Sequence, residues 1–223
     1  MDPVQIAIAL IAAGLVILIA FPLHEFSHAF AAYRLGDSTA RWQGRLTLDP
    51  RRHFDPLGGA MLIISSILGF GVGWAKPTPV NPYNLRYGRR GESLVALAGP
   101  LSNLVIAAII AIPLRFIANS DELMTTIASS TVTAVVWNIV FYLFAINISL
   151  FVFNLLPIPP LDGWKVLLGL VDARTAYSLR QFEQYGLILL AFIVLFGGRL
   201  LVPILDFLLN LFAPGAFYLP IPL

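Results

Sequence analysis

The stretch HEFSH places His24 and His28 four positions apart, with Glu25 between them. On an α-helix, side chains at i and i+4 stack on one face, so both imidazoles can aim a nitrogen at a single cation. Glu25 sits one position round the same turn, within reach of a water at that cation without being a ligand itself. Zinc lowers the pKa of such a water to about 7, and an adjacent carboxylate can take the proton and return it to a leaving amine. The pattern is that of a metal-dependent hydrolase. A purely structural explanation, polar groups bonded on a buried helix face, suits one histidine better than three ionisable groups in five residues of an apolar run. Inside a bilayer each such charge costs about 2.5–3.5 kcal/mol on insertion scales, which makes function the default.

A catalytic zinc takes three protein ligands and keeps a fourth position open. The chain has no cysteine and three histidines, so the third ligand is His53 or a carboxylate. Asp162 is the best placed. It lies in NLLPIPPLDG, where Pro157, Pro159 and Pro160 end an apolar stretch and Gly163 lets the chain turn. An alternative role for it is the N-cap of a helix over WKVLLGLV. His53, in RRHFDP, could equally be a loop histidine or lie near the substrate entrance. Asp49, Asp55, Asp172, Asp206, Glu92, Glu122 and Glu183 read as capping or solvated loop charges.

The elements that must position these groups are apolar. Of 223 residues, 58% are hydrophobic and 12% charged, against about half and a quarter in a soluble domain, which argues against a water-soluble globule. Apolar stretches cover 4–33, 57–75, about 93–118, about 130–156 and about 184–212. The first is long enough to cross roughly 30 Å of hydrocarbon, with Asp2 and Pro3 as its expected N-cap and first residue. A cleaved signal peptide fits poorly, since Asp2 stands where basic residues are expected. The last contains Gly197, Gly198, Arg199 and Pro203, and is expected to break into a spanning helix and a shorter interfacial one. The predicted fold is an all-α polytopic membrane protein: about four spanning helices, a re-entrant or short membrane segment, and a small β-hairpin in the first loop with Gly44 at its turn or bulge. A single membrane-embedded domain is expected over 1–223, with a catalytic core of about 4–165 and C-terminal helices of about 175–212.

Twelve of the 14 basic residues lie in three loops: Arg34, Arg41, Arg45, Arg51 and Arg52; Lys76, Arg86, Arg89 and Arg90; Lys165, Arg174 and Arg180. If 57–75 dips in and returns, all twelve share one face, which the positive-inside rule assigns to the cytoplasm. Gly69, Gly71 and Gly73 favour that path. It also brings Asp162 to the end of the bundle that holds His24 and His28, whereas a crossing segment would put it at the opposite surface. A net charge of +2 with no dense basic stripe excludes nucleic acid as the expected partner.

These residues resemble the site-2 proteases, zinc metalloproteases that cut peptide bonds within the membrane. HEFSH and the downstream NLLPIPPLDG look like the two motifs that define the family. ALAGPLSN (96–103), GRLTLDPRRHFDPLGG (44–59) and FGVGWAKPTPVNP (70–82) are similar to its compact prokaryotic branch without a PDZ domain. The resemblance implies His24, His28 and Asp162 as zinc ligands and Glu25 as catalytic acid and base. It further implies that Asn154 holds the scissile peptide or its oxyanion; helix-to-helix bonding is the other role open to that asparagine. Asn103, Gly99 and Pro100 either line the site or pack. One departure is Asp49 in TLDP, where the family commonly has asparagine.

The expected function is a zinc-dependent endopeptidase that cleaves the transmembrane segment of a single-span membrane-protein substrate, as in regulated intramembrane proteolysis. Its partners are that substrate and the lipid bilayer, and the substrate, once unwound, would pair with the edge of a 41–48 hairpin. Two other classes remain: a transporter using intramembrane His and Glu as a cation path, and a catalytically inactive scaffold of the same fold. Within enzymes, membrane zinc proteases of the prenyl-protein type share HExxH but usually take a glutamate as third ligand.

Overall fold

A computed structural model describes residues 3–67, 73–217 and 219. Among these the chain forms helices and connecting loops without a strand. Helix α1 (Pro3–Arg34) carries the HEFSH motif in its last third. Pro22 has no N–H and would clash with the turn before it, and the helix widens into a π-turn over Val16–Ala20, in which the Phe21 N–H reaches back to the Val16 carbonyl. The regular helix resumes at Phe21. Asp2, expected as the N-cap, lies outside the described residues, and Pro3 is the first helical residue.

Helix α2 has 12 described residues, Pro56–Ile67, where a straight span takes about 20. Residues 69 and 71, two of the three glycines expected to turn this segment, lie outside the described residues. Gly73 and Trp74 lie back against its first turns: a Cβ on Gly58 would strike the Trp74 carbonyl, and one on Gly73 would strike Leu62. The Lys76 N–H then bonds the His53 carbonyl at 2.8 Å. The chain has therefore returned to the end from which it left.

Helices α3 (Arg89–Ala118) and α4 (Thr131–Asn154) are the central spans, and a short helix, α5 (Asp162–Leu170), packs on α3. Ala107, Ala111 and Leu114 of α3 meet Trp137, Phe144 and Ile148 of α4 in the main core. Many of the residues that α1 buries against its neighbours are small, among them Ala12, Ala13, Ala20, Ala29 and Ala32, which lets helix backbones approach closely. The last apolar region forms α6 (Ala173–Phe196) and α7 (Gly198–Phe212), broken at Gly197. The break falls within the expected glycine pair, and the helix before it starts at Ala173, close to the expected start near 175 and well ahead of the apolar stretch at 184. Leu205, Leu208 and Leu209 of α7 turn onto the α3–α4 core.

Among the described residues four helices, α1, α3, α4 and α6, are long and apolar enough to cross a membrane, and the protein is a multi-pass membrane protein. The three basic loops meet at one end. The Arg86 N–H bonds the Leu35 carbonyl at 2.8 Å, Arg89 bonds the carbonyls of Leu168 and Asp172, and Arg180 lies 3.9 Å from Glu92. Asp37, fully buried, fastens the first two loops: its carboxylate accepts from the Thr39 amide and hydroxyl, the Asn81 amide and the Asn84 side chain.

The hairpin expected over 41–48 is not present. Thr39–Trp42 is a helical turn closed by Gly44 N–H to the Arg41 carbonyl (3.0 Å) and Arg45 N–H to the Ala40 carbonyl (2.8 Å). This is the Schellman pattern, and Gly44, at φ +67°, is its left-handed residue. Glycine suits either geometry. Burial of the Arg45 side chain, bonded to the carbonyls of Arg52 and Lys76, favours the compact turn.

Candidate metal and catalytic site

His24 and His28 face α3, where its backbone passes close by at Gly99. A Cβ on that glycine would collide with Nε2 of both imidazoles. Each ring is held through Nδ1. His28 Nδ1 lies 2.7 Å from the Val95 carbonyl and His24 Nδ1 lies 2.7 Å from Oδ1 of Asn103. A carbonyl oxygen only accepts, so each Nδ1 carries a proton, and Nε2 is the nitrogen that each ring, when neutral, presents as a ligand.

Those two lone pairs point at each other and at one carboxylate. Nε2 to Nε2 is 3.0 Å, and Oδ2 of Asp162 lies 3.2 Å from His24 and 3.1 Å from His28. With both rings neutral these three acceptors repel unless a cation lies between them. Tetrahedral ligands at zinc bond lengths stand about 3.3 Å apart, so the spacing fits that ion with slight contraction. His24, His28 and Asp162 are a group that could hold a metal ion, and each keeps a little exposed surface, at 8%, 7% and a 13% exposed side chain.

Asp162 is the first residue of α5, but its side chain does not cap that helix; Leu161 holds the cap position without a side-chain bond. His53 is buried elsewhere, with Nε2 donating to the Thr47 carbonyl at 2.7 Å. The capping expectation holds for Asp49, which accepts from the Arg51 amide, for Asp55 on the Gly58 amide, and for Asp172 on the amides of Arg174 and Thr175.

Glu25 is buried one turn position from His24, and its Oε2 accepts from the Thr78 amide at 2.7 Å, while the Thr78 hydroxyl donates to the Glu25 carbonyl at 3.0 Å. The proline-rich segment after α2 thus crosses over the carboxylate. Asn154, half-buried at the end of α4, donates to the Leu150 carbonyl of its own helix at 3.0 Å. The structure brings together the two histidines, Asp162 and, alongside, Glu25; Asn154 makes its bond within its own helix.

Residues 11–197 match peptidase family M50. The chain belongs to this family, that of the site-2 proteases. Among its relatives, the Bacillus subtilis protein named "Putative zinc metalloprotease YwhC" is 38% identical over 203 residues, 88% of this chain and 89% of that one. Two mycobacterial proteins named "Putative zinc metalloprotease Rip2" match with lower coverage of their own length: 36% identity over 78% of this chain and 62% of the Mycobacterium tuberculosis protein, and 32% over 80% and 64% for Mycolicibacterium smegmatis. No solved structure matches the chain. This M50 peptidase is a metalloprotease, and its metal is zinc.

Three contacts at the M50 site went unread in the sequence. Thr78, the Val95 carbonyl and Asn147, which bonds Asn103, all reach the motif from far along the chain. For Thr78 the signal was its position between Pro77 and Pro79, which keeps the segment extended. Val95 acts through its backbone, which no residue type reveals.

Proposed function

We propose that this peptidase cuts its substrate within the membrane. The observation that carries the proposal is the convergence of two imidazole Nε2 atoms and a carboxylate oxygen at an apolar spanning helix. His24 lies ten residues before Arg34, about 15 Å along the helix from the basic end. His24, His28 and Asp162 would hold the zinc, which when bound supplies a Lewis acid that polarises a carbonyl and makes water acidic near neutral pH. Glu25, fixed through Oε2 by Thr78, accepts the proton of the attacking water on Oε1 and delivers it to the departing amine. Asn154, once released from Leu150, donates to the developing oxyanion, a contact worth about 2.7–4 kcal/mol where such donors have been removed.

The substrate in this reading is the transmembrane segment of a single-span protein, as in regulated intramembrane proteolysis. An apolar groove of about 440 Å³ between α1, α4 and the C-terminal helices supports it, for its lining includes Phe21, Ile146, Phe153 and Leu201. Phe21 lies one turn before His24, and Phe153 adjoins Asn154. The basic end, with the opening to the site, faces the cytoplasm by the positive-inside rule. With the 41–48 hairpin gone, the substrate has no strand edge there to pair with.

The test is cleavage of co-expressed single-span proteins, with metal analysis of the purified enzyme. Wild type should cut within the span and hold one zinc; Glu25→Gln should keep zinc without cutting, and Asp162→Ala should lose both. Unchanged cleavage in the two variants overturns the reading. Transport of a cation by Glu25→Gln, with no cleavage by wild type, would favour the transporter instead.

A further inference from the structure

Beyond its proposed ligands, the site continues into the bundle as a line of buried amides. His24 Nδ1–H donates to Oδ1 of Asn103 (2.7 Å), Nδ2 of Asn103 donates to Oδ1 of Asn147 (3.0 Å), and Nδ2 of Asn147 donates to the Leu143 carbonyl (2.8 Å). Asn103 and Asn147 are both fully buried, one on α3 and one on α4. We propose that Asn103 and Asn147 are positioning residues for the metal centre: together they fix the tautomer and ring orientation of His24, so that its Nε2 is presented as a ligand.

The direction of the line follows from its far end. The Leu143 carbonyl can only accept, so it fixes which end of the Asn147 amide turns toward Asn103. Asn147 then shows Asn103 an oxygen, and Asn103 must answer with its NH2 and turn its own oxygen to His24. Reversing either amide would set oxygen against oxygen, or N–H against N–H, between two fully buried side chains. His28 needs no such line, because the Val95 carbonyl meets its Nδ1 directly. The two rings reach the same protonation state by different routes. Second-sphere partners of this kind raise ligand basicity and typically contribute about 10–100-fold in metal affinity.

This inference rests on His24, His28 and Asp162 as the metal ligands. The experiment is zinc affinity of the purified full chain, by competition with a chelator, alongside the melting temperature of each zinc-free protein. Asn103→Leu, alike in branching but without an acceptor, is expected to bind zinc about 10–100-fold more weakly. Asn147→Leu, which touches no ligand, should weaken it in the same direction, while Asn103→Asp, which keeps an oxygen on Nδ1 but gives up the NH2 that Asn147 accepts from, should lose less affinity than Asn103→Leu. Parent-like zinc affinity in Asn103→Leu or Asn147→Leu overturns the proposal. So does loss in Asn103→Asp equal to that in Asn103→Leu, since packing alone then accounts for the effect. If His24→Ala binds zinc as tightly as the parent, the metal-ligand reading itself falls, and the proposal with it. Should Asn103→Leu fail to fold, Asn147→Leu and Asn103→Asp decide.

Discussion

Oε2 of Glu25 and the backbone N–H of Thr78 stand 2.7 Å apart, joining the HEFSH helix to an extended segment 53 residues further along the chain. The bond comes from a main-chain group, so the side chain of Thr78 can be changed without breaking it. Thr78→Val removes only the hydroxyl bond to the Glu25 carbonyl and should leave the cleavage rate within a few-fold of wild type. Thr78→Pro removes the amide donor and should lower kcat by about 10²-fold, the typical loss when a reacting group is misplaced by about 1 Å. Equal rates in the two variants would refute the positioning of Glu25 by this amide.

Removing the metal should stop proteolysis without unfolding the bundle, whose main α3–α4 core of Ala107, Ala111, Leu114, Trp137, Phe144 and Ile148 contains none of the proposed ligands. A chelator is expected to abolish cleavage by the detergent-solubilised enzyme, with activity returning on addition of stoichiometric zinc and helical circular dichroism constant throughout. Activity that survives complete zinc removal is the contrary result.

Gly99→Ala should empty the site. The new methyl group would occupy the space of Nε2 of both His24 and His28, forcing the rings out of convergence or α3 away from α1. Zinc content and cleavage should fall together, with overpacking lowering stability by about 1–3 kcal/mol. Full zinc occupancy in this variant would show that the helices separate more easily than their close contact implies.

Asp37 ties the first two loops together and gives the fold an acid-sensitive point outside the spans. Burial pushes its carboxyl pKa up, but the hydrogen bonds from Thr39, Asn81 and Asn84 outweigh that and hold it below the ordinary value. A depressed carboxyl contributes stability that is present above its unfolded value, about 3.9, and is lost as pH falls through the folded value. Asp37→Asn should therefore destabilise the protein at pH 7 by about 2–3 kcal/mol, and the gap between variant and parent should narrow below about pH 4. A gap that widens on acidification contradicts this assignment.

Gly44 distinguishes the helical turn from the hairpin the sequence suggested. At φ +67° it has open space where a Cβ would go, so Gly44→Ala introduces backbone strain alone. A loss of about 1–2 kcal/mol in denaturant or thermal unfolding is expected; no change would mean that the left-handed turn is not maintained.

How much of this was legible depends on how far each contact reaches. HEFSH could be read because i and i+4 meet on any helix, and Asp162 stood out because prolines stop the chain just before it. Gly44 was found but misassigned, since a glycine with positive φ serves a hairpin and a Schellman turn alike and only the inward path of Arg45 separates them. Asn147 gave no signal. Helix α4 is apolar around its whole circumference, so no stripe in its sequence tells which side faces α3, and a membrane removes the contrast between inside and outside that would mark one.

The sequence by itself determined the chemistry on offer: two imidazoles and a carboxylate on one helix turn, an aspartate at a proline-forced stop, and enough apolar length to bury them in lipid. Tertiary structure decided that Asp162 meets the histidines instead of capping its helix, that Thr78 holds Glu25, and that an asparagine on α4 governs a ring on α1. Those are matters of helix rotation and close approach. They are set by which small residues let backbones touch across more than a hundred positions of chain, and no local pattern records them.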